Sequence, residues 1–255
     1  MQFSGIVSMI LFPLLAISIA LIALRRSKNV YYGAMGMGFL SYTLIGFLLA
    51  AFVQSLVLSP ISDPWVYIIC LAAIITLLDF AARFVSTLPF KSRNHVYTAL
   101  SIGLGQATAR TLLLDIFKAA SFMAILMVYT SPDFDPVAAQ GEFLLNAQSL
   151  LDTPWYVFLF DTLEYVLLFF AHIALSLYSV RAIMGNMPRN MAISVALQFV
   201  LEVILALLMV GIVTNKYLEY FVALEAGIFG IYYIVKTVKA HPGGEGQEIV
   251  RLSRR

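Results

Sequence analysis

The sequence predicts an all-α fold: a polytopic bundle of about seven transmembrane helices, N-terminus out and C-terminus in. Three observations predict it. Hydrophobic residues make up 61% of the 255 and charged residues only 12%, about half the charge of a soluble domain. The apolar residues form long unbroken runs, not the apolar/polar alternation of a β-barrel. The basic residues recur in every second loop.

That composition excludes a soluble domain, a disordered chain and a disulfide scaffold. A net charge of +2 leaves no electrostatic footprint for nucleic acid, so none is expected as a partner. The single cysteine, Cys70, can form neither an internal disulfide nor a thiolate metal site.

The runs fall at roughly 5–24, 31–58, 65–87, 96–129, 154–180, 190–213 and 217–238. The first has nothing basic before it and is followed directly by Arg25, Arg26 and Lys28, which marks an N-out anchor rather than a cleavable signal. Lys91 and Arg93 fall in the third loop, Arg181 and Arg189 in the fifth, and Lys239, Arg251, Arg254 and Arg255 at the end. The intervening loops carry Asp63, then Asp133, Asp135, Glu142 and Asp152, with Lys216 as their one cation. Positive-inside then requires an odd number of spans.

Segment 96–129 tests that count, because one helix of this length reaches about 50 Å. Its middle holds Arg110, Asp115 and Lys118. Two spans broken near Asp115 would invert everything downstream and put the basic tail outside, so a single tilted, kinked or protruding crossing is expected. The loop 130–153 is then non-cytoplasmic, and its Phe143, Leu144, Leu145, Leu150 and Leu151 predict a short amphipathic helix on the membrane surface. No repeat or linker divides the chain. Residues 1–240 read as one transmembrane domain and 241–255 as a short basic cytoplasmic tail that anchors to lipid headgroups. An integral, multi-pass protein of the plasma (inner) membrane is expected.

Ionisable residues inside spans are costly and usually paired or functional. Asp79 and Arg83 stand at i, i+4 on the third span, and two readings stay open: a carboxylate held for catalysis or ligand binding, or a structural ion pair. On the fourth span Gly103, Ala107 and Thr111 form a stripe of small residues, with Gly105 between them and Gln106 and Arg110 on a neighbouring face. The stripe is expected to bring spans three and four together. Asp161, Glu164 and His172 lie near one face of the fifth span, and Gln198 and Glu202 stand at i, i+4 on the sixth. His172 is expected to be buried and bonded to Gln198, Glu202 or Gln106. No HExxH, GxSxG or Walker pattern occurs, and His95, His172 and His241 are too scattered to form one metal site.

At these positions the chain resembles the YhfC family of intramembrane metalloproteases. That family is related to the CAAX-protease and bacteriocin-processing (CPBP) proteases and, more distantly, to the anterior-pharynx-defective scaffold subunit of gamma-secretase. The resemblance runs in order along most of the chain. It covers Phe12-Pro13-Leu14 with a basic first loop, Asp79-Phe80-Ala81-Ala82-Arg83, Gly103-Leu104-Gly105-Gln106, Glu164 with His172-Ile173-Ala174-Leu175-Ser176, and Gln198-Phe199-Val200-Leu201-Glu202. It implies a seven-span protease in which a glutamate pair activates water and histidines on other spans bind metal or stabilise the oxyanion. Here the pair is Asp79 and Phe80, and two histidine positions are Gln106 and Gln198. Glutamine donates to an oxyanion but is a poor metal ligand and no general base.

The expected function is therefore a non-catalytic scaffold, or a protein that binds a substrate or partner transmembrane helix. The alternative is an active peptidase with Asp79 as base and His172 as helper. A small-solute transporter ranks third, for want of inverted repeats and paired broken helices. No cofactor is expected, and the donor set speaks against a metal. The lipid bilayer is the other partner.

Overall fold

The computed structural model describes residues 2–26, 31–90, 95–132, 134, 141–212 and 215–241. Seven of its helices are long and apolar enough to cross a membrane: Phe3–Ala23, Tyr32–Val57, Pro64–Phe90, Val96–Tyr129, Trp155–Met184, Pro188–Leu208 and Lys216–Ala240, called spans one to seven below. No β-strand occurs among the described residues. This is an integral, multi-pass membrane protein of helical fold. Lys28, Lys91, Arg93, Asp133, Asp135 and the tail from 242 onward lie outside the described residues, as do the side chains of Arg26, His95 and Glu142.

Local chemistry sets several helix starts. The Asp63 carboxylate accepts hydrogen bonds from the Trp65 and Val66 amides, both 2.9 Å, and Pro64 takes the first helical position of span three. Pro188 does the same for span six, after a tight turn in which Asn186 adopts φ +50°. Asn215 caps span seven through the Tyr217 amide at 3.0 Å.

Segment 96–129 is one continuous crossing. Its α-helix runs His95–Arg110, passes through a π-helical turn at Thr111–Ile116 and resumes as Phe117–Tyr129. Span two has a similar π-helical segment at Tyr42–Leu49. Each π segment begins beside a polar side chain of the centre described below, Arg110 in one case and Tyr42 in the other, as such turns often do at functional sites. The expected helix of the fourth loop is present at Gly141–Asp152, with Ala147 and Leu150 buried and Leu145 exposed. Leu150 joins a cluster with Ile6, Met9, Leu126 and Phe158, which fastens this helix to spans one, four and five.

Span five is the axis of the bundle. It packs against spans one, four, six and seven and touches span three, while span two lies along span four and span three along span six. The largest apolar cluster gathers Ile102 and Leu104 of span four around Phe169, Ile173, Leu177 and Val180 of span five.

The glycines correct one expectation. Spans three and four do not meet through the Gly103/Ala107 stripe. A Cβ on Gly103 would lie 3.0 Å from Ser176 Cβ and 3.1 Å from the Ile173 carbonyl, both on span five. A Cβ on Gly105 would run into the Met35 carbonyl of span two. Residues two apart point to nearly opposite sides of a helix, so Gly103-x-Gly105 serves two neighbours at once. Ala107 is buried against the polar centre.

The N-out, C-in orientation is checked by labelling. In a Cys70→Ser background, single cysteines at Gln140 and Glu245 are expected to react from opposite sides of the membrane; reaction of both from one side would contradict the topology.

Candidate functional site

Four spans each bring two polar residues to the middle of the bundle: Asp79 and Arg83, Gln106 and Arg110, His172 and Ser176, Gln198 and Glu202. All except Arg110 are buried to within 6% of full enclosure. The i, i+4 spacing that recurs in every pair is what stacks both members on one helix face. Span two adds Tyr42, also buried.

Arg110 is the hub. Its Nη1 lies 3.8 Å from Asp79 Oδ2 and 3.5 Å from Glu202 Oε1, so one guanidinium faces carboxylates from spans three and six. Gln198 sits between the same two acids and donates from Nε2 to Asp79 Oδ2 at 2.7 Å and to Glu202 Oε1 at 3.4 Å. Gly46 of span two makes room for Asp79: a Cβ there would come 3.0 Å from Asp79 Oδ1.

The expected Asp79–Arg83 ion pair is absent. Arg83 Nε donates to Ser176 Oγ at 3.1 Å and its Nη1 to Ser179 Oγ at 3.3 Å. Ser179 also bonds Ser194 of span six, so Arg83 is tied across spans three, five and six. Ser176 Oγ in turn donates to Gln106 Oε1 at 3.0 Å. The physical reason is competition: Arg110 and Gln198 occupy the same Asp79 oxygen, while the hydroxyls of span five lie within reach of the longer Arg83 side chain.

His172 is buried as expected, but its Nε2 has no hydrogen-bond partner. Each residue expected to partner it is engaged elsewhere. Gln106 Nε2, Asp79 Oδ1 and Gln198 Oε1 are likewise buried and unpartnered. Asp79, Gln106 and His172 line one small cavity with Tyr42, Arg83, Ala107, Arg110 and Ser176, and its volume is about 10 Å³. That is the room one water needs. The chemistry of the wall suits one: Gln106 Nε2 is a donor, Asp79 Oδ1 an acceptor, and a neutral His172 Nε2 takes either role.

Asp161 and Glu164 do not join this centre. They lie two to three turns before His172, in a second polar group near the start of span five. There Tyr220 of span seven donates to Asp161 Oδ1 at 2.8 Å. Glu164 is buried within electrostatic reach of Glu219, Lys118 and Asp115. Lys118 Nζ lies 5.9 Å from the Tyr165 ring centroid.

A model of the YhfC intramembrane metalloprotease family matches residues 9–223. The chain belongs to that family. The match contains every residue of the polar centre, from Tyr42 to Glu202. No curated protein and no solved structure matches the chain.

Membership in the YhfC family raises the question of a metal, and the donor set answers it. Among the described residues no group of three or more His, Cys, Asp or Glu side chains is placed to hold one. The free donor, His172 Nε2, opens on a cavity whose wall also carries Arg83 and Arg110, so a divalent cation would meet two guanidinium groups. The other nitrogen-bearing side chains of the centre besides the arginines are Gln106 and Gln198, whose amides are poor metal ligands. The residues present do not fit the metal, and no chemical step is derived through one.

Sequence reasoning missed Tyr42, Ser179, Ser194 and Gly46. Signals existed for two of them. Tyr42 is a phenol within an apolar run, and Gly46 follows it one turn later.

Proposed function

We propose that this protein is a non-catalytic member of the YhfC family, a scaffold or helix-binding protein whose polar centre holds the bundle together. One observation carries the reading: Arg110 and Gln198 together hold both Asp79 and Glu202. A general base must be free to take a proton from water. Asp79 has one oxygen committed to two donors, and its side-chain neighbour in sequence is Phe80, which can neither accept a proton nor hold an oxyanion. Two carboxylates and two guanidiniums balance one another inside the bundle, which accounts for all four charges without chemistry. The cavity has room for a water but not for a peptide bond.

A second reading rests on that same cavity. A water bounded by Asp79 and His172 has the neighbours a hydrolytic water needs, and Gln106 or Arg83 could then hold an oxyanion. For this the bundle would have to open, because the cavity has no room for a peptide bond.

Purified protein incubated with a panel of transmembrane peptides, beside an Asp79→Asn variant, separates the two. No cleavage above background by either is expected. Cleavage by the parent that disappears in Asp79→Asn would restore the peptidase.

A further inference from the structure

Glu225 stands out against everything above. It lies in span seven, nine residues from Lys216 and eleven from Lys236, about 13 and 16 Å along a helix, so it sits near the middle of the membrane. Every acidic residue of the polar centre is buried in the protein, whereas Glu225 is exposed on the outer surface of the bundle. No ion pair or hydrogen bond engages its side chain among the described residues. A carboxylate facing lipid at this depth is costly, and such residues characteristically have a partner. It also lies just beyond the stretch the YhfC family model matches, 9–223.

Beside it the bundle is open. Spans six and seven scarcely touch. Between them runs an apolar groove of about 350 Å³, floored by Ala171 and Ala174 of span five and walled by Leu197 and Leu201 on one side and Ala226 and Gly230 on the other. Small residues on the floor and wall let another helix backbone approach closely. Ala226 follows Glu225 directly and Phe229, one turn on, also lines the groove, so Glu225 stands at its rim.

We propose that the groove between spans six and seven docks one transmembrane helix of another protein, and that a lysine or arginine midway along that helix pairs with Glu225. This rests on the helix-binding reading above and names its site and partner chemistry. A lipid chain fits the groove but carries its cationic groups at the membrane surface, too far from Glu225 to pair with it. A second copy meeting this face by two-fold symmetry would set Glu225 against Glu225. The copy's own exposed mid-span cation, Lys118, already lies over the Phe122 and Tyr165 rings.

The test uses the full chain in phosphatidylcholine vesicles, with p-benzoylphenylalanine at Phe229 and, as a control on another face, at Phe52. The probes are three synthetic polyleucine helices with Lys, Leu or Glu at the centre. The Lys helix is expected to label position 229 and not 52, with about tenfold higher affinity than the Leu helix. Glu225→Gln removes that advantage, and Glu225→Lys transfers it to the Glu helix. Neither variant lowers the melting temperature, because Glu225 contacts no polar partner in the bundle. Equal labelling by all three helices, labelling indifferent to Glu225, a second copy as the Glu225-dependent adduct, or a lower melting temperature for Glu225→Gln each overturns the proposal. Gel analysis of the same incubations separates the two readings. Cleavage of a helix would overturn the non-catalytic function and leave the docking site standing, whereas uncleaved helices with no dependence on Glu225 would overturn the docking site alone.

Discussion

Arg110→Leu is expected to be the most damaging single substitution in the bundle, at about 3–5 kcal/mol. The cause is not the energy of the ion pairs themselves. At 3.5 and 3.8 Å the contacts are long, and a buried ion pair often does little better than an apolar replacement. The cost arises because Asp79 and Glu202 would remain buried without the cation they share. Removing one of the two stranded charges should therefore restore much of the loss, because Arg83 still balances the other. The double variant Arg110→Leu, Glu202→Gln, which leaves Asp79 and Arg83 as one charge of each sign, is expected to melt above Arg110→Leu in detergent, although it carries one more substitution. A double variant that melts lower would show that Glu202 does not depend on Arg110.

Gly105→Ala is expected to cost about 1–3 kcal/mol or more, for a single added methyl. Gly105 and Gly38 make a reciprocal contact between spans four and two. A Cβ on Gly105 meets the Met35 carbonyl, and one on Gly38 meets the Ile102 carbonyl. In both cases the obstacle is backbone, so no side chain can rotate away and the helices must separate. Gly36, on the same span as Gly38, has open space where a Cβ would stand, with nothing within 4 Å. Gly36→Ala is accordingly expected to be neutral or stabilising by up to about 1 kcal/mol, since alanine is the better helix former. If Gly36→Ala and Gly105→Ala shift the melting temperature alike, the close approach of spans two and four is wrong.

The spans were legible because a membrane imposes one strong rule, a run of about 20 apolar residues per crossing, and the seven runs read from the sequence match the seven helices closely. The polar centre was legible for a related reason. Asp79, Gln106, Arg110, His172, Gln198 and Glu202 are conspicuous in apolar runs, and their i, i+4 spacing stacks them on single faces. The pairing was not legible. Spacing within a helix says which residues share a face, but not which neighbouring helix that face meets. Asp79 and Arg83 satisfied the local rule for an ion pair, yet each found better partners on other spans. The Gly103/Ala107 stripe likewise announced a close contact without naming its partner, which proved to be span five. Tyr42 carried the signal of a phenol in an apolar run, but only tertiary packing places its hydroxyl beside charges.

Metal loading tests the central claim most directly, because a free catalytic centre and an internally compensated one differ in what they bind. Purified protein would be incubated with zinc, desalted and measured for metal by mass spectrometry, beside His172→Ala and Asp79→Asn. With Arg83 and Arg110 on the cavity wall and both carboxylates held by Arg110 and Gln198, the expected result is well below one metal per chain, unchanged in either variant. One zinc per chain in the parent, lost in both His172→Ala and Asp79→Asn, would contradict it.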